Sequence, residues 1–179
     1  MKNMARNDFV VGISALLATH GLRKHEHVVG HLEGIEGSAA KIADDAPIEV
    51  DVHLESASGA VTAVGVVRAP IETTCVRCLQ PVSTILEVKV RELYTTKEQD
   101  PNREQTYPIS GAQIDLGDMA REALVLELPL VPLCREDCAG LCPQCGLDRN
   151  EVSCSCENVN LDPRWAGLEG LSRQLSESE

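Results

Sequence analysis

The sequence predicts an α+β fold: an antiparallel β meander or small barrel, one packed helix, and a C-terminal cysteine-rich zinc-binding tail. Three observations lead there. Segments between residues 48 and 93 alternate apolar and polar residues with period two, the pattern of half-buried strands. One stretch, 115–127, changes to a helical period. Eight cysteines occur in pairs and groups, and all but Cys75 and Cys78 follow residue 133.

The strands come first. Residues 48–55, I-E-V-D-V-H-L-E, place Ile48, Val50, Val52 and Leu54 on one face. The break S-A-S-G at 56–59 reads as a turn. Residues 60–67 are rich in β-branched side chains and follow as a second strand. Pro70 should interrupt that strand, leaving 71–74 as a short third one. Pro81 breaks the chain again before 82–93, where Val82, Thr84, Leu86, Val88 and Val90 share a face. Residues 9–13 and 28–32 are further strand candidates. Residues 95–110 are polar and proline-bearing, so a long surface loop is expected. In 115–127, Leu116, Met119, Ala120, Ala123, Leu124 and Glu127 fall on one helical stripe, mostly apolar. Asp115 can cap that helix, Asp118 suits its positive end, and Pro129 stops it. The expected organisation is a β-rich domain over 1–133 and a tail over 134–179, packed on it through Cys75 and Cys78.

Composition narrows the function classes. The chain has 179 residues, 43% of them apolar, enough to bury a core. It has one Trp, two Tyr and one Phe, so Val, Leu, Ile and Ala must supply that core. Its formal charge is −12, the wrong sign for coating nucleic acid or docking on an anionic membrane. No apolar run approaches the ~20 residues of a membrane helix. Residues 9–18 are apolar enough to test as a leader, but Asp8 borders them and His20, Arg23 and Lys24 follow in place of a cleavage site. A cytoplasmic location is therefore expected, where clustered cysteines favour metal or redox chemistry over stable disulfides.

Cysteine spacing carries most of the information. Cys75-Val-Arg-Cys78 is one C-x2-C turn. Cys134, Cys138, Cys142 and Cys145 follow, and Cys154-Ser-Cys156 ends the series. A C-x2-C turn places two thiolates on one edge of a zinc tetrahedron. Pro143 and Gly146 suit the turn around Cys142 and Cys145. Cys142, Cys145, Cys154 and Cys156 can close locally, which leaves Cys75 and Cys78 to meet Cys134 and Cys138. One or two structural zinc ions are the expected cofactor. Four thiolates and a divalent ion leave roughly −2 per site. Structural zinc contributes on the order of 10–16 kcal/mol of apparent binding energy, much for a core short of aromatics.

Other chemistries fit less well. A catalytic zinc needs an open position and a base, yet the chain has no histidine from Cys134 onward and no H-E-x-x-H; no enzyme activity is expected. A redox C-x-x-C opens a helix after a strand, whereas Cys75 and Cys78 lie between two strand patterns. His20, His25, His27, His31 and His53 read as surface residues. Arg77, Arg135 and Arg149, near the presumed knuckles, are the candidate contacts for nucleic acid or a partner. Arg77 can also balance thiolate charge, and Trp165 reads as a packing anchor.

Four stretches taken together, C-V-R-C-L-Q-P at 75–81, L-P-L-V-P-L-C at 128–134, C-A-G-L-C-P-Q-C-G at 138–146 and D-P-R-W-A-G-L at 162–168, resemble the YceD family of large ribosomal RNA subunit accumulation proteins, bacterial with plastid relatives. The resemblance covers nearly the whole chain. It implies a non-enzymatic role in accumulation of large-subunit (23S) ribosomal RNA and in assembly of that subunit. It implies a metal-ligand role for Cys75, Cys78, Cys134 and Cys138, and for Cys142 and Cys145. After C-P-x-C-G relatives often read N-L-N, where this chain has L-D-R-N at 147–150. Many also lack a counterpart of Cys154 and Cys156. The acidic balance makes a basic ribosomal or rRNA-processing protein the natural partner, with precursor rRNA as the other. A thiol redox or metal-sensing protein is the alternative function.

Overall fold

The computed structural model describes residues 8–57, 59–96 and 106–156. They belong to two compact units, one reaching to Cys138 and one starting at Ala139. Cys134 and Cys138 thus fall in the first unit.

Among the described residues, all helices and strands lie in that first unit. In chain order they are β1 (Val10–Gly12), α1 (Ser14–Ala18), β2 (Arg23–Gly30), β3 (Ala40–Lys41), β4 (Ile48–Ala57), β5 (Ala60–Thr74), β6 (Pro81–Thr95), β7 (Tyr107–Pro108), β8 (Gln113–Asp115) and α2 (Leu116–Glu127). The main sheet runs β2-β4-β5-β6-β7, with β3 on β5, and a small second sheet pairs β1 with β8. β2, β4, β5 and β6 form the expected antiparallel meander. β7 pairs with β6 in parallel, so the sheet is mixed. It ends at β2 and β7 without closing, which removes the small barrel. Closure depends on how distant strands tilt and stagger, and alternation within one strand is silent on that.

The period-two pattern placed the core correctly. Ile48, Val50, Val52 and Leu54 are fully buried. Opposite them in the β4–β5 ladder, Val67 pairs with Val50 and Ala63 with Leu54. α2 packs on β5 and β6 and buries Leu116, Met119, Ala120 and Leu124. The Asp115 carboxylate accepts the Gly117 amide at 2.8 Å and caps the helix. The buried Tyr94 hydroxyl donates to the Asp115 carbonyl at 3.1 Å, tying β6 to the start of α2.

Three further expectations change. β5 does not stop at Pro70; it runs unbroken for 15 residues. The β4 ladder ends at Arg68, two residues earlier, so β5 has no β4 neighbour where Pro70 lacks an N–H. There are two helices among the described residues, since 14–18 coil into α1. The stretch tested as a leader is core: Phe9, Ile13 and Leu16 are buried. Within the expected 95–110 loop, Tyr107 and Pro108 join the sheet. The Tyr107 ring lies 5.3 Å from that of Tyr94, and its hydroxyl donates to Glu122 Oε2 at 2.6 Å. Residues 97–105, and Trp165, lie outside the described residues. The five histidines are exposed, and no helix among the described residues is long and apolar enough to cross a membrane.

Candidate metal centres

The long β5–β6 hairpin carries the first centre at its tip. β5 and β6 pair from Ala60 with Thr95 to Thr74 with Pro81, leaving 75–80 as the turn. The Cys75 amide donates to the Gln80 carbonyl, and the Leu79 amide to the Cys75 carbonyl, both at 2.9 Å. The segment after α2 runs alongside, with the Val76 amide donating to the Pro132 carbonyl at 3.0 Å. That contact delivers Cys134 and Cys138. Cys75 Sγ lies 3.8 Å from Cys138 Sγ, and Cys78 Sγ lies 3.6 Å from Cys134 Sγ. Val82 and Leu133 pack against the buried cysteines.

The second centre lies wholly within the other unit. The Cys142 amide donates to the Leu147 carbonyl at 2.8 Å, and the Gly146 amide to the Cys142 carbonyl at 2.9 Å. This is the hydrogen-bond pattern of the first turn, shifted along the chain. Asn150 braces the loop: its Oδ1 accepts the Ala139 amide at 2.8 Å, and its own amide reaches Asp148 Oδ1 at 2.8 Å.

The eight cysteines therefore gather in two sets, Cys75, Cys78, Cys134, Cys138 and Cys142, Cys145, Cys154, Cys156, in the grouping the spacing predicts. Within each set the four sulfurs lie within 4.8 Å of one another, so each could hold a metal ion. An all-thiolate donor set suits zinc or another thiophilic ion, and supplies four tetrahedral corners from protein alone.

The electrostatics match. The Cys78 amide, aimed at its sulfur, lowers the Cys75 thiol to about 6. The Cys145 and Gln144 amides do the same for Cys142, also to about 6. Desolvation and the nearby Cys138 and Cys78 sulfurs push Cys134 up to about 12. Hydrogen bonding with Cys145, then desolvation, pushes Cys156 up to about 12. Thiols this close cannot all ionise unaided, and a divalent cation is what would let them. The thiolates of Cys75 and Cys142 exist above about pH 6 and are lost as pH falls through it. Metal should therefore be retained at neutral pH and released on acidification, with a midpoint at or below pH 6 by chromogenic chelator. Release that does not depend on pH between about 8 and 4 would contradict thiolate ligation.

The candidate arginines differ in their surroundings. Arg77 Nη1 donates to the Cys138 carbonyl at 2.9 Å and the Glu136 carbonyl at 3.3 Å, bracing the ligand loop. Arg135 pairs with Asp137 at 3.2 Å. Arg149 lines a cavity of about 240 Å³ beside Cys142, Cys154 and Cys156. Sequence reasoning missed Leu79. It holds φ +59°, the left-handed conformation that Gly146 holds at +73° in the second turn. Its place, four residues after the first cysteine of a C-x2-C turn, was the available signal.

The family model described as "Large ribosomal RNA subunit accumulation protein YceD" matches residues 63–172, from β5 through both cysteine sets. An uncharacterized protein of Mycobacterium tuberculosis is 37% identical over 136 residues, covering 71% of this chain and 63% of the relative. This chain thus spans less than two thirds of that relative's length. The uncharacterized protein YlbN of Bacillus subtilis is 30% identical over 106 residues, covering 58% of this chain and 62% of the relative. The chloroplastic "Large ribosomal RNA subunit accumulation protein YCED homolog 1" of Zea mays is 25% identical over 147 residues, covering 64% of this chain and 50% of the relative. No solved structure matches. With a family model matching more than half of the chain and spanning both thiol sets and β6 to α2, the chain belongs to the YceD family.

Proposed function

We propose that this protein is a non-enzymatic, zinc-binding cytoplasmic factor that supports accumulation of large-subunit (23S) ribosomal RNA and assembly of that subunit. The family match over residues 63–172 carries the reading. The donor sets support a structural metal: four cysteines per set would fill every corner of a tetrahedral ion, whereas a catalytic zinc keeps one corner for water or substrate. An ion in the first set would tie the β5–β6 hairpin tip to the segment that carries Cys134 and Cys138, alongside the hydrogen bond from Val76 to the Pro132 carbonyl. The −12 charge supports a basic ribosomal or rRNA-processing protein as partner, in preference to naked precursor rRNA.

The test is depletion of the protein in its own cell. Large-subunit particles should fall relative to small-subunit particles, with unprocessed large-subunit rRNA accumulating. Unchanged subunit profiles would remove this reading. One observation favours a second one, thiol redox or metal sensing: Cys145 and Cys156 are exposed in the second set, open to oxidants and chelators. Reversible loss of a single zinc at cytoplasmic redox potentials would support it.

A further inference from the structure

The two turns share their hydrogen bonds but not their left-handed residue. The second uses glycine, which holds that conformation at no steric cost. The first uses leucine, for which a positive φ is a true outlier. Leu79 is also 63% exposed, so burial does not offset the strain. Val76, in the same turn, is 47% exposed. A strained apolar side chain held out into water, where glycine would be easier, points to something that it contacts.

Leu79 and Val76 line a groove of about 760 Å³. Its other wall is the 36–41 hairpin, closed by the bridge between Glu36 and Lys41. Thr73 fixes the spacing by donating its hydroxyl to the Ala39 carbonyl at 2.5 Å. The lining carries Glu36 and Glu72 against a single cation, Lys41, which pairs with Glu72 at 3.3 Å. Cys75 forms part of the wall, and a loaded tetrathiolate centre behind it adds roughly −2. Arg77 does not line the groove; its guanidinium is turned to the Glu136 and Cys138 carbonyls.

We propose that this groove docks a segment of a basic protein, an apolar side chain of the partner lying against Leu79 and Val76 and its lysines or arginines facing Glu36 and Glu72. The class of partner rests on the proposed assembly role; the surface rests on the groove, its charge and the strained leucine. An RNA strand suits it less, because phosphates would meet the carboxylates and the thiolate centre.

The probe is a fluorescent octapeptide of alternating leucine and lysine, titrated with the full-length, zinc-loaded chain. Leu79→Asp should weaken binding about tenfold or more. Leu79→Gly should weaken it several-fold while zinc content and thermal midpoint are kept, since glycine is at ease at this φ. The double variant Glu36→Gln, Glu72→Gln should flatten the salt dependence. Equal affinity for the Leu79→Asp chain, for a leucine–glutamate octapeptide, or stronger binding of a single-stranded RNA at the same groove would overturn the proposal. In cells, a Leu79→Asp chain that restores normal subunit profiles would overturn the docking surface and leave the assembly role standing. Unchanged profiles on depletion would overturn the role whatever the peptide does.

Discussion

Replacing Cys138 with serine is expected to take bound zinc from about two to about one per chain and to lower the thermal midpoint by roughly 10 °C or more. Cys138 is 2% exposed, with Sγ 3.8 Å from Cys75 Sγ. Serine is shorter and a harder donor, so the tetrahedron loses a corner. Arg77 binds the carbonyls around it, and Val76 reaches the Pro132 carbonyl. Loss of the proposed ion should therefore loosen the β5–β6 tip and the chain after α2 together. Cys156→Ser gives the comparison. Cys156 is exposed, in the other unit. It should also cost about one zinc, with a midpoint shift of only a few degrees. Elemental analysis and calorimetry read both quantities. Equal midpoint shifts in the two variants would show that the first ion does not brace the β unit.

Gly65→Ala is the second large effect. Gly65 sits in mid-β5 opposite Val52, and a Cβ there would stand 2.0 Å from the Asp51 carbonyl oxygen and 2.7 Å from Val52 Cα. Both obstacles are backbone, so no side-chain rotation relieves them. β4 and β5 would have to part in the middle of the core that Val50, Val52 and Val67 build. The expected cost is about 3 kcal/mol in denaturant unfolding, with zinc content unchanged. Gly12→Ala is the control: no atom lies within 4 Å of its added Cβ, and its effect should stay within about 0.5 kcal/mol. Similar losses for both would remove close strand approach as the reason for glycine at 65.

Much of the molecule was legible because its information is local. Alternation located Ile48, Val50, Val52 and Leu54 in the core, since side chains on a strand must alternate between faces. Asp115 was legible as a cap because its carboxylate needs only the amides of the next turn. The thiol grouping followed from loop length: a short loop closes on itself, and the remaining cysteines are left for each other. The apolar 9–18 stretch was ambiguous, because hydrophobicity by itself does not separate a leader from core. Its burial depends on β8, which is far along the chain, and on the Gly30 end of β2.

By itself the sequence determined the β4 strand face, the α2 helix and its cap, and the resemblance to the YceD family, and it favoured the partition of eight cysteines that the sulfur positions match. Each rests on residues within a turn, a strand or a short loop. Only the tertiary structure decided that the sheet stays open, that β5 passes through Pro70, that Tyr107 joins the sheet, and that Arg77 braces a ligand loop. It also decided that Leu79 takes a glycine's conformation beside a negative groove. These depend on which distant segments meet, and at what angle. Contacts of that range are set by packing of the whole unit, to which no single stretch of sequence holds the key.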